Sequence, residues 1–111
     1  MDDQERERVA AEFGDAVNMT PKQLEEWLAS DESQSVGADG GDGESIGHES
    51  GRRIVAIKAK KKSEWSDDDY EHMRKVVGYV HRHLRQGGPS HDKEHSRWRY
   101  SLMNWGHDPL A

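Results

Sequence analysis

The chain has 111 residues, of which 32% are hydrophobic and 34% charged, and it carries a formal net charge of −6. That length allows one small domain, 1–111, and so little Leu, Ile, Val and Phe beside so much charge borders on the composition of disordered chains. Zero cysteines exclude a disulfide scaffold, a thiol nucleophile and a cysteine-based zinc site. The apolar runs are too short to span a bilayer and the N-terminal stretch is acidic, unlike a basic leader, so a soluble cytoplasmic protein with no membrane partner is expected.

The charge is unevenly spread. Residues 1–50 hold 3 basic and 14 acidic side chains, net −11, whereas residues 51–111 hold 13 basic and 8 acidic ones, net +5. An acidic total therefore does not exclude a basic binding face.

In chain order, Gln4 to Val17 places Val9, Phe13 and Ala16 at helical spacing, weakened by Gly14. Thr20-Pro21-Lys22-Gln23 then reads as a helix start, with Thr20 as N-cap, Pro21 in the first helical position and Gln23 closing a capping box. Met19 and Leu24 are spaced as a hydrophobic staple, and Leu24, Trp27 and Leu28 give one apolar face. From Asp31 to Glu49 only Val36 and Ile46 are large and apolar, so a long flexible Gly/Ser/Asp-rich loop is predicted at 31–49. Ser50 to Lys61 fits a helix with Ile54 and Ile57 on one side, and its β-branched residues also fit a strand presenting Val55, Ile57 and Ala59.

Asp67 to Gln86 carries every terminal signal of a helix. Ser66 is the N-cap, Asp69 closes a capping box, acids fill the first turn, bases fill the last, and Gly87 follows. Tyr70, Met73, Val77, Val80 and Leu84 form its apolar stripe, with Trp65 placed to staple onto Tyr70. A last helix is expected from Asp92 to Trp105, with Trp98, Leu102 and Trp105 on one face and Gly106 and Pro109 ending it. The fold class expected is therefore all-α, a small bundle of about five helices.

Four stretches carry a family resemblance: Val17–Thr20, Gly43–Val55 with its Gly-His-Glu-Ser-Gly-Arg-Arg core, Asp67–Leu84, and Ser96–Leu110 with its Arg-Trp-Arg-Tyr-Ser-Leu-Met-Asn-Trp-Gly-His-Asp-Pro run. They resemble the signature stretches of a family of small, mostly bacterial proteins of unknown function, whose members are sometimes labelled DNA-binding proteins. Residues 1–16 and Arg85–His95 lie outside the likeness. The resemblance implies family membership and a pointer to DNA; it implies no catalytic residue.

Three constellations could carry chemistry. Ser50, Gly51, Arg52 and Arg53, if they open a helix, set free backbone N–H groups beside two guanidinium groups, a phosphate-binding arrangement whose rival reading is charge balance against the acidic loop. Lys58, Lys60, Lys61 and Lys62 precede the long helix, on which Arg74, Gly78, His81 and Arg85 form one stripe and Lys75, Tyr79 and Arg82 a neighbouring one. Together these cations are candidates for nucleic-acid contacts, with Tyr79 set to touch a sugar or base or else to be buried. His91 and His95 are spaced i, i+4, and a fold that brings His72, His81, His83 and His107 near them makes a metal site conceivable. No His-Glu-x-x-His motif, cysteine or spaced carboxylate accompanies them, so neither metal nor other cofactor is expected. No nucleophile elbow is present, and no enzyme is expected.

The expected function is non-specific DNA binding through phosphate contacts from Arg52, Arg53, Lys58, Lys60, Lys61, Lys62, Arg74, Lys75, Arg82 and Arg85. The alternative is a protein-interaction or stress-adaptor domain whose aromatic C-terminal helix, with Trp98, Tyr100 and Trp105, docks a protein partner. The rival reading of those aromatics is core.

Overall fold

A computed structural model describes residues 1–36 and 46–111. Its described residues form six α-helices and no strand: α1 Asp3–Ala16, α2 Pro21–Leu28, α3 Asp31–Gln34, α4 Ile46–Ala59, α5 Asp67–Gln86 and α6 Arg97–Asn104. Single 3₁₀ turns at Lys62–Glu64 and Lys93–His95 lead into α5 and α6. The all-α bundle expected from periodicity is the fold observed.

The caps explain most helix starts. Gln23 N donates to Thr20 Oγ1 at 3.1 Å and Thr20 N donates to Gln23 Oε1 at 2.9 Å, so both arms of the α2 capping box form. Ser66 and Asp69 exchange the same pair of bonds at 3.0 and 3.2 Å at the head of α5. Asp69 also takes Lys60 Nζ at 2.8 Å, and that bond outweighs the opposing effect of burial and holds its carboxyl below the usual range. Gly87 ends α5 at a φ of 74°, and Gly106 follows α6 at 81°, both in the region that favours glycine.

Several boundaries differ from expectation. The last helix is shorter than Asp92 to Trp105, because the N-cap is Ser96, whose Oγ accepts from Arg99 N at 3.1 Å. The strand alternative for Ser50 to Lys61 is overturned, since residues 50–59 continue a helix that already runs at Ile46 and ends at Ala59. The stretch read as loop from Asp31 is helical at both ends. Ser30 caps α3 by accepting from Ser33 N at 3.2 Å, and Ser33 and Val36 are buried. The rest of that predicted loop, 37–45, lies outside the described residues.

The buried side chains of α1, α2, α4, α5 and α6 form one apolar cluster. α1 packs on α5, α2 packs on α4, and the short α6 touches α2, α3, α4 and α5. On α5 the stripe is shifted: Val76 is buried, whereas Leu84 is 40% exposed. At 20 residues α5 outruns the 14-residue α1, and α4 and α6 also pack against α5. Trp65 meets Tyr70 edge-on at 5.8 Å, as the staple requires. The chain after α6 returns to the α1–α2 link, where His107 Nδ1 donates to Ala16 O at 2.7 Å and Asn18 exchanges bonds of 2.9 and 2.7 Å with the Asp108 backbone.

Candidate nucleic-acid interface

On a helix, positions i, i+4 and i+7 share a face, and Lys75, Tyr79 and Arg82 do so in the middle of α5. With Ile46 and Gly47 from the start of α4 and Ser101, Asn104 and Trp105 from α6, they line a recess of about 330 Å³. Beside it lies a second hollow, lined by Arg53 of α4 and by Asp68, Glu71, His72, Arg74 and Lys75 of α5. Lys75 belongs to both. Arg53, Lys75 and Arg82 are exposed and make no ion pair among the described residues.

A column of rings stiffens this face. Tyr79 stacks on Trp105 at 4.1 Å and 12°, and on His83 at 4.2 Å and 22°, so its two faces are both covered. Beyond Trp105 stands His72, at 6.3 Å and 15°. His72 and Tyr79 are seven residues apart, about 10.5 Å along a helix axis, and the Trp105 indole fills that gap. His72 Nε2 and Ser50 Oγ are hydrogen-bonded at 2.9 Å, tying the column to α4.

The column's electrostatics follow from its burial beside cations. Burial first, then Arg53, lowers the His72 pKa from 6.5 to about 4. His83 is lowered by burial and by Arg82, while burial raises the Tyr79 phenol. These rings are therefore neutral near neutral pH. Of the two readings of Tyr79, packing among neighbouring side chains fits the arrangement of its ring: with each face against another ring, it has no free face on which a base could stack.

The predicted cations separate into groups. Ser50 and Gly51 do not open a helix. They are buried in the second turn of α4, where the backbone N–H groups belong to the helical ladder, so the phosphate site built on them is overturned. Gly51 is needed for close approach, since a Cβ there would lie 2.6 Å from Asn104 O and 2.7 Å from Leu28. Arg52 lines a different hollow from Arg53, with Glu25, Leu28, Ala29, His48 and Val55.

Lys58 lies 5.9 Å from the Phe13 ring centre, and its burial lowers its pKa. Lys60 is held by Asp69, and Arg74 is paired with Glu5 of α1. Lys61, Lys62 and Arg85 are exposed, away from the two hollows. Of the ten predicted cations, the structure brings Arg53, Arg74, Lys75 and Arg82 together. Trp105, His72, Ser101 and Asn104 escaped the sequence reading as parts of this face. Trp105 and His72 stood in predicted helices, and only their stacking partners were missing.

Among the described residues no three His, Asp or Glu side chains gather as metal ligands. His95 is bonded to Asp92 at 2.9 Å, and His107 is committed to Ala16 O. No helix of the described residues is long and apolar enough to cross a membrane.

The family model described as a protein of unknown function (DUF3140) matches residues 12–103. No curated protein and no solved structure matches the chain.

Proposed function

The chain belongs to that family of proteins of unknown function, and from its geometry we propose that it binds DNA non-specifically, through phosphate contacts from Arg53, Lys75 and Arg82. The observation that carries the reading is that these three cations, from two helices, line adjoining hollows joined at Lys75 without an acidic partner among the described residues. Guanidinium and ammonium groups so placed are donors for phosphate oxygens and carry no base information. Asp68 and Glu71 on the same face, and a chain of net charge −6, oppose a polyanion, so affinity is weak, micromolar or above. The covered faces of Tyr79 argue against base stacking and for backbone contacts.

The test is a titration against duplex DNA, single-stranded DNA and RNA at several salt concentrations. Binding to duplex at low salt should fall as salt rises. Replacing Arg53, Lys75 and Arg82 together with Gln should weaken it alike on all sequences and flatten the logarithmic salt slope by about 0.9 for each phosphate no longer neutralised. Replacing Lys61 and Lys62 should change it less, and circular dichroism of both variants should match the parent. Failure of the parent to bind at low salt would remove the reading, and a preference for single strands or RNA would replace duplex DNA as the ligand.

A further inference from the structure

The groove on the side of α6 that faces away from the basic recess is lined by acidic residues of other segments. Ser101, Asn104 and Trp105 line the recess, whereas Arg99, Tyr100 and Met103, centred roughly 140° round the helix at about 100° per residue, face a separate groove against α2. This groove encloses about 600 Å³. Its floor is Trp27, Tyr100 and Met103, and Glu26, Glu32 and Glu94 stand on its rim. We propose that the groove docks a basic, Lys/Arg-rich segment of a partner protein.

The floor is rigid and built for a cation. The Trp27 and Tyr100 rings meet at 5.3 Å and 46°. Trp27 is fixed there by its indole N–H, which donates to Asn104 Oδ1 at 2.8 Å, so the ring is ordered before any ligand arrives. Aromatic faces beside carboxylates attract ammonium and guanidinium groups through ring quadrupole and charge together.

The rim is acidic, and the Glu94 charge also acts on His95 and Arg99 of the same groove. Glu26, Glu32 and Glu94 form no ion pair among the described residues. The guanidinium of the groove, Arg99, is neutralised by Asp108 through paired bonds of 3.1 and 3.0 Å. That bond keeps the Asp108 carboxyl below its usual range and the Arg99 pKa above its own. Nucleic acid is repelled by such a rim, so the proposal stands apart from DNA binding at the other face. Charge complementarity selects a basic peptide.

The experiment is calorimetric titration of the full chain with a Lys/Arg-rich peptide and with its Glu-substituted counterpart. The basic peptide should bind and the acidic one should not. Replacing Glu26, Glu32 and Glu94 together with Gln should weaken binding roughly tenfold or more. Neutralising Glu7, Glu12 and Asp15 on α1 to the same extent should leave it within about twofold. Lack of binding, or equal losses in the two sets, overturns the proposal by reducing the attraction to net charge.

Self-association of the parent that the groove substitutions abolish overturns it in favour of a second copy of the chain. If the groove variant loses helix content, NMR shift mapping on the parent replaces it. Shifts at the Trp27 indole N–H and at Tyr100 support the groove, and shifts confined to α1 overturn it.

Discussion

Asn104 sits where α2, α3 and α6 meet, and at 1% exposure it has no water to fall back on. Its Oδ1 accepts from Trp27 Nε1 at 2.8 Å and from Ser33 Oγ at 2.5 Å, and its Nδ2 donates to Ser33 O at 3.1 Å. One amide thus satisfies an indole on α2 and both a hydroxyl and a carbonyl on α3. Replacing Asn104 with Ala should cost about 2–4 kcal/mol, because it strands several buried partners as well as removing their bonds. Urea unfolding checks this, and a loss under about 1 kcal/mol would mean that water repairs the site. Nothing local in the sequence marks this residue, since its partners lie 71 and 77 positions away.

Two glycines inside helices make opposite predictions. Gly14 in α1 has nothing within 4 Å of where a Cβ would stand, so Gly14→Ala should stabilise the chain by about 0.5–1 kcal/mol through helix propensity. Gly51 in α4 has the same propensity to gain, but its Cβ would press on α6 backbone at 2.6 Å and on Leu28 of α2. There the packing term wins, and Gly51→Ala should cost roughly 1–3 kcal/mol. Thermal melts of the two variants should move in opposite directions, and melts that move together would show that α4 is not seated closely on α2 and α6.

Elements with local signals were readable in the sequence: the capping residues of α2 and α5 and the 3.6-residue period of α5 need no distant partner. α3 was missed because four residues are too few to show a period, and the early start of α4 because Gly47 and His48 carry no helix signal. The site divides on the same ground. The Lys75, Tyr79, Arg82 stripe followed from α5 alone. That Arg74 is neutralised by Glu5, 69 positions away, and that Trp105 covers one face of Tyr79 are facts of tertiary packing.

At the scale of the whole molecule, the ring column makes stability depend on pH in the mildly acidic range. The His72 imidazole stays neutral in the folded protein down to about pH 4, while the unfolded chain takes up that proton near 6.5. The unfolded state therefore binds more protons between these values, and stability should decline as pH falls from about 6.5 to about 4, with no further loss from this group below. The carboxyls of Asp69 and Asp108, held below their ordinary value of 3.8, lose their contributions at lower pH than His72 does. His72→Gln should flatten the upper slope, read from urea midpoints at a series of pH values. An unchanged slope would mean that another group governs it.

The same column gives the protein an optical reporter. Trp105 stands between the Tyr79 and His72 rings, and a protonated imidazole is an electron acceptor that quenches an excited indole, whereas a neutral one quenches far less. The indole N–H groups of Trp27, Trp65 and Trp98 instead bond to the Asn104 amide and to the carbonyls of Ile57 and His83. Emission from Trp105 should therefore dim as His72 gains its proton, and the colour and lifetime of that emission would reveal, without any label, whether the seam between α5 and α6 is open or closed.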